Sequence, residues 1–355
     1  MNILDRYLAK QVILSILVVA LALLGFDLFF NLVHELKVVG KLQYTLLTAL
    51  AYLALTIPTR VYAMFPWSAL IGTLICLGAL ANHSELVVMR TSAWSVARIA
   101  WSVIKAALIL TTVVVFLGEG IAPTAERLAQ NKRTLALSGG QTIQTAYGLW
   151  VRQGHDFIHV QTVRGNGELI GVTRYQFTPD RKLKAAIFAE SAIQEGKYWR
   201  LNQVRGTEFQ ADKTHVFHEN EQIINNLLEP EILETAMIKH PERLSIPALW
   251  RTIQHRQKNE LSTQNYQLAL WSKIFQPLVI IMMVVLAVPF VFGPLRSGSQ
   301  GLRVVVGIAV AFLFHTLNGL FSPLAIVYQF PPLLAVLFPI LVFSGVGFWL
   351  LRRVR

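Results

Sequence analysis

Cysteine is almost absent. Of 355 residues only Cys76 carries a thiol, and it lies inside an apolar run. No disulfide can close within the chain, and no cysteine-based zinc site can be built. Charge is also scarce: Asp, Glu, Lys and Arg make up 15% against 54% hydrophobic residues, with a mean hydropathy of +0.49. Ordinary soluble domains are about one-quarter charged, so this composition places the chain among membrane proteins. Acidic residues are the scarcer sign, 20 against 32 basic, for a net charge of +12. The location of that excess excludes a nucleic-acid binder. Residues 139–260 hold 15 Lys or Arg and 14 Asp or Glu, a net of +1, while the rest carries +11, much of it beside apolar runs. Basic residues beside spans are a topology signal. A basic stripe with interleaved aromatics is missing.

Catalytic signatures are missing too. No segment matches G-x-x-x-x-G-K-[ST], so the chain cannot cradle ATP phosphates by that route. "SGSQG" at 297–301 lacks the first glycine of a nucleophile elbow, and no strand precedes it. His155 and His159 would share one strand face, and His215 and His218 would not. With no third ligand beside either pair, they read as surface histidines, and no metal site is expected. No catalytic residue stands out, and the chain is not expected to be an enzyme.

Long apolar runs are what the chain does have. Spans are predicted at 11–33, 64–81 (with Pro58 as an alternative start), 100–121, 274–292, 304–326 and 333–351. Each approaches the roughly 20 residues needed to cross hydrocarbon. No small-residue cleavage site follows the first run, so it is expected to remain as a span. Tyr44–Ile57 is apolar but has 14 residues and stops at Pro58, which reads as a re-entrant or interfacial segment. Arg6, Lys10, Arg90, Arg98, Arg296, Arg303, Arg352, Arg353 and Arg355 mark one side; Lys37, Lys41 and the uncharged "SPLAIVYQFPP" mark the other. The positive-inside rule then places both termini in the cytoplasm and the 122–262 interval outside, in a bacterial periplasm.

That interval reads as β. "DFIHVQTV", "ELIGVTRYQF", "KLKAAIFAE" and "YWRLNQVRGTEFQ" alternate, separated by "RGNG", "TPDRK" and "QEGK" turns. The predicted architecture is an α-helical polytopic membrane protein of six transmembrane helices with an inserted all-β, jelly-roll-like domain. Its parts are 1–121 with spans one to three, 122–262 with the β domain and flanking connectors, and 263–355 with spans four to six.

Two polar features interrupt this pattern. In the first span Asp27, Asn31, His34, Lys37 and Lys41 recur at spacings of 4, 3, 3 and 4, within about a third of a helix circumference. They read either as inter-helix hydrogen bonding with snorkelling lysines, or as the wall of a site for an anionic amphiphile. In the second case phosphates sit at Lys37 and Lys41, with Lys132 and Arg133 as further cations, and Phe26, Phe65, Phe312 and His315 join Asp27, Asn31 and His34 as cavity lining. On their own, His315 and Asn318 read first as packing polars. The second feature is "HSELVVMRTSAW", 83–94, a short helix between two very apolar stretches. Ser84 is placed to cap it, Glu85 suits its first turn, and Leu86, Met89, Arg90 and Ala93 share a face.

"LDRYLAKQ" at the start, "SELVVMR" after span two, "WSKIFQPL" entering span four and "FGPLRS" followed by "GLRVV" resemble the lipopolysaccharide-export permeases, the LptF/LptG family. "WSKIFQPL" and "FGPLRS" are more similar to its LptG branch. The resemblance runs over essentially the whole chain. It implies a non-ATPase inner-membrane subunit of an ATP-binding-cassette exporter, paired with LptF above a dimer of the ATPase LptB, with the single-span LptC inserted beside span one. Lipopolysaccharide would leave the outer leaflet of the inner membrane for a cavity between the permeases and rise through jelly-roll domains to a periplasmic bridge. ATP and magnesium would belong to LptB, and this chain would bind no cofactor. The 83–94 helix would be the coupling helix, with Glu85, Leu86, Met89 and Arg90 at the ATPase. Lys37 and Arg133 match basic positions near the lipid phosphates; Asn31 and Val38 stand where a relative has lysines, so the basic cluster is thinner here. Apart from the resemblance, the residues leave two other classes open: a proton-coupled lipid transporter using Asp27, Glu119 and His315, or a membrane-anchored scaffold whose β domain binds partners.

Overall fold

The computed structural model describes residues 3–137, 143–164, 167–180, 182–196, 198–209, 213–225, 227, 241–292 and 299–353. Among them, six helical stretches are long and apolar enough to cross a membrane. They are α1 (Ile3–Leu36), α2 (Leu46–Asn82), a composite of α4 (Val96–Phe116), a π-helical turn (Leu117–Ile121) and α5 (Ala122–Leu137), then α7 (Gln264–Phe292), α8 (Gln300–Val327) and α9 (Pro332–Arg353). Between α2 and α4 lies the short helix α3 (Glu85–Thr91), and α6 (Ile246–Lys258) precedes α7. Arg296 and part of "SGSQG" lie outside the described residues.

Two compact units result. The first contains 1–33, 55–126 and 264–355 and is helical; the second contains 34–54 and 127–263 and holds the sheet. The core of the helical unit is built from Leu70, Leu74 and Leu77 of α2, Ile99 and Val103 of α4, and Met283, Val284 and Ala287 of α7. α2 is the most enclosed span, with 72% of its apolar window buried, whereas α1 and α8 bury 17% each. Proline recurs inside the spans, at 58 and 66, 277 and 289, 323, and 339. Membrane helices tolerate it because neighbouring groups re-satisfy the freed carbonyls. Pro58 therefore does not end the segment before it: Tyr44–Ile57 is no separate re-entrant piece but supplies, from Leu46 on, the first turns of α2.

The second unit has a six-stranded antiparallel sheet whose described strands pair in chain order, β1-β2-β3-β4-β5-β6. They are Ile143–Gln153, Asp156–Val163, Leu169–Phe177, Leu183–Glu195, Tyr198–Phe209 and Thr214–Asn225. The inserted all-β domain is thus present, with β2 to β5 where alternation predicted strands. β1 and β6 were not predicted. In β1 the register shifts between Gln144 and Leu149, and Gly148 in between has φ +69. A side chain there would collide with His159, so glycine is needed for the bulge. His155 lies in the β1–β2 turn, not beside His159 on a strand face. The core of the sheet gathers Ile158, Val160, Leu169, Val172, Ala189, Trp199 and Leu201. At α6, Asn259 Oδ1 accepts the Gly154 N–H at 2.7 Å, tying that helix to the β1–β2 turn.

Residues 140–263 made without the membrane helices are expected to give a mainly β circular dichroism spectrum. Trp199, 2% exposed, is among the largest buried side chains. Trp199→Ala is expected to lower that fragment's stability by about 3–5 kcal/mol through lost burial and cavity formation. Urea unfolding checks the difference, and a mainly helical or coil spectrum would overturn the domain assignment.

Candidate functional site

The polar stripe on α1 begins as the spacing predicts. Asn31 Nδ2 donates to the Asp27 carbonyl at 2.7 Å and to Asp27 Oδ1 at 3.1 Å, one turn apart. The Asp27 carboxylate forms an ion pair with Arg60 of α2, whose Nε also donates to Thr56 Oγ1 at 2.9 Å. Pairing offsets the cost of holding an acid within an apolar helix pair. Arg60 was missing from the predicted set, although a lone arginine inside "LTIPTRVYAM" was the available signal.

The stripe does not continue as one helix face. α1 ends at Leu36, and the N–H groups of Lys37 and Val38 bond back three residues, to His34 and Glu35. Such bonds tighten a last turn and end the 3.6-residue period. Lys37 and Lys41 therefore lie in the turn before Tyr44, and they belong with His34 to the second unit, Asp27 and Asn31 to the first.

In the second unit Arg133 of α5 has a partner of its own. Its Nε contacts Glu35 Oε2 at 3.1 Å, and the same oxygen accepts the Tyr44 hydroxyl at 2.8 Å. Glu35 and Tyr44 are buried. Burial first, and then the carboxylate beside it, push the Tyr44 hydroxyl up to about 12. The Arg133 guanidinium also lies 5.4 Å from the Tyr52 ring centre, within cation–π range. Among the described residues only Nε is engaged in hydrogen bonding, so the Nη groups keep donors for a second anion. His34, Lys37, Lys41 and Lys132 are exposed. The three lysines have no ion pair among the described residues.

Of the predicted lining, Phe26 of α1 and Phe312 of α8 are exposed, and His315 sets its ring edge-on to Trp67 at 5.2 Å. Phe65 is not lining: at 2% exposure it is packed into the core of the first unit. A face count cannot distinguish the two fates on a helix as enclosed as α2.

α3 is shorter than predicted, and two details differ. Ser84 is left-handed, φ 62, and its side chain makes no capping bond. Leu86 and Met89 turn inward, 3% and 4% exposed, into the chain's own core with Trp94. They are therefore not a free docking face, because the apolar stripe of α3 is needed to seat it on the spans. Val87, Val88, Arg90 and Thr91 are what α3 exposes. Glu85 accepts a hydrogen bond from the Tyr7 hydroxyl of α1 at 3.0 Å.

A further charged pair was not predicted as such. Lys273 of α7, within "WSKIFQPL", bonds Glu119 Oε1 at 2.7 Å, and its ammonium lies 5.5 Å from the Tyr62 ring centre. Glu119 sits in the π-helical turn, a distortion that recurs at functional sites. Asp27 and Glu119 are thus each paired with a separate base.

These features define a polytopic helical membrane protein with an inserted β domain, two intramembrane charge pairs, an exposed basic group and a short helix seated between spans. The pattern of the family described as "Lipopolysaccharide export system permease LptF/LptG" matches residues 6–353. The chain is 36% identical over 358 residues to the lipopolysaccharide export system permease protein LptG of Escherichia coli K12, covering 99% of this chain and 98% of that one. It is 34% identical over 357 residues to the LptG of Haemophilus influenzae, covering 100% and 99%. The chain belongs to the LptF/LptG family of lipopolysaccharide export permeases.

Proposed function

We propose that this chain is the LptG-type permease subunit of an ATP-driven exporter that takes lipopolysaccharide from the outer leaflet of the inner membrane. The observation that carries this reading is the family match across 6–353, which includes every span and the whole β domain. Both termini and α3 face the cytoplasm, following the basic short loops, and the sheet faces the periplasm. LptF is the paired permease, an LptB dimer supplies ATP hydrolysis with its magnesium, and LptC joins the sheet to the periplasmic bridge. The exposed apolar faces of α1 and α8, carrying Phe26 and Phe312, meet acyl chains or the partner permease. Lys37, Lys41, Lys132 and Arg133 hold the phosphates. Asp27, Asn31 and His315 border the path. The ATPase acts on Glu85 and the exposed Val87, Val88 and Arg90.

The Glu35 carboxylate already beside Arg133 offsets part of the attraction its remaining Nη donors have for lipid phosphate. Lys37 has no ion pair among the described residues. Charge-assisted contacts of this type contribute about 1.5–3 kcal/mol each, and about 1.4 kcal/mol is tenfold in affinity. The variant Lys37→Ala/Arg133→Ala is therefore expected to weaken lipid capture by an order of magnitude or more. The measurement is photocrosslinking of lipopolysaccharide to a probe in α1, in equally assembled complexes. Unchanged crosslinking would leave these residues as scaffolding.

A further inference from the structure

Arg303, in the first turn of α8, has no exposed surface. Its Nη1 donates to the Gly78 carbonyl at 2.9 Å and to Asn82 Oδ1 at 3.0 Å, both in the last turns of α2. A cation at a helix C-terminus also complements the backbone dipole there. The space it occupies is built in. A Cβ on Gly78 would lie 2.5 Å from Arg303 Cδ and 2.8 Å from Nη1. One turn further along α8, a Cβ on Gly307 would lie 2.8 Å from Leu74 Cδ1, so the helices approach closely at two successive levels. α2 ends at Asn82, and only His83 and Ser84 separate it from α3. α3 itself is seated by Leu86 and Met89 in the same core. Elsewhere α8 is among the least enclosed spans, with 17% of its window buried.

We propose that Arg303 is a positioning residue that clamps α8 to the α2–α3 corner, so that a push on α3 moves α8 as part of the same body. The proposal rests on the reading that a partner ATPase acts at α3. Arginine suits this task because the two N–H groups of its planar Nη1 point in fixed directions at a carbonyl and an amide oxygen, which a freely rotating lysine ammonium holds less rigidly.

The test uses the full complex assembled with its ATPase, with lipopolysaccharide moved per ATP hydrolysed as one readout. The second is the distance between spin labels at Thr91→Cys on α3 and Val305→Cys on α8, in a Cys76→Ala background. In the parent the distance is expected to stay the same with and without nucleotide. In Arg303→Met a nucleotide-dependent shift should appear, and lipid moved per ATP should fall roughly tenfold or more, the scale of one lost charge-assisted hydrogen bond. Arg303→Lys should recover part of both. Where Arg303→Met fails to assemble, Gly78→Ala displaces the guanidinium while keeping the charge, and the same two changes are expected. An invariant distance with parental lipid per ATP, in whichever variant assembles, overturns the clamp alone. A parent complex that moves no lipid on hydrolysing ATP overturns the exporter reading, and the clamp with it.

Discussion

Lys273→Met is expected to destabilise the helical unit by about 3–5 kcal/mol, the usual cost of breaking a buried ion pair by removing one of its charges. Lys273 is 7% exposed at its side chain and Glu119 20%, and the pair joins α7 to the π-helical turn after α4. Removing the ammonium leaves Glu119 with a carboxylate in an apolar setting, and it also removes the charge facing the Tyr62 ring. The double variant Glu119→Gln/Lys273→Met is expected to recover most of the loss, because two neutral groups need no mutual compensation. Thermal unfolding of the detergent-solubilised protein, followed by loss of its monodisperse form, measures all the variants. A double variant as unstable as Lys273→Met would show that the side chains matter for packing and not as a charge pair.

Glu85→Lys is expected to leave the complex inserted and assembled while export falls by one to three orders of magnitude. Charge reversal in a desolvated contact costs about 2–5 kcal/mol or more. The bond from Tyr7 supplies a control: Tyr7→Phe removes it and keeps the carboxylate, so it should change export little. Leu86→Ala and Met89→Ala are expected to act on stability, since both side chains belong to this chain's own core. Export by Glu85→Lys at the parental rate would remove the coupling role from α3.

The resemblance to the family was readable because several short motifs occur in order over the whole chain, and the homology comparisons agree with it. The spans were readable for a local reason. About 20 consecutive apolar residues satisfy the hydrocarbon wherever they pack, so length and hydropathy suffice. β2 to β5 were readable because burial on one face imposes alternation on each strand separately. β6, "THVFHENEQIIN", is exposed or half-buried throughout, with only Phe217 and Ile224 of its described side chains packed against the core, so the alternation on it is weak. β1 breaks its register at the Gly148 bulge, which interrupts the period.

Pairings across the chain were beyond any local signal. Asp27 with Arg60 spans 33 positions, Arg133 with Glu35 spans 98 and Lys273 with Glu119 spans 154. Asp27 and Glu119 were visible as acids in apolar runs and Glu35 was not singled out, but in every case the partner is chosen by which helices lie side by side. The same holds for α3. Its apolar stripe was evident from Leu86 and Met89, while the surface they bury against is supplied by spans remote in sequence. Local chemistry determined which segments must leave water; the packing of those segments decided which charges meet, which aromatic side chains stay exposed, and that Arg303 is enclosed against Gly78.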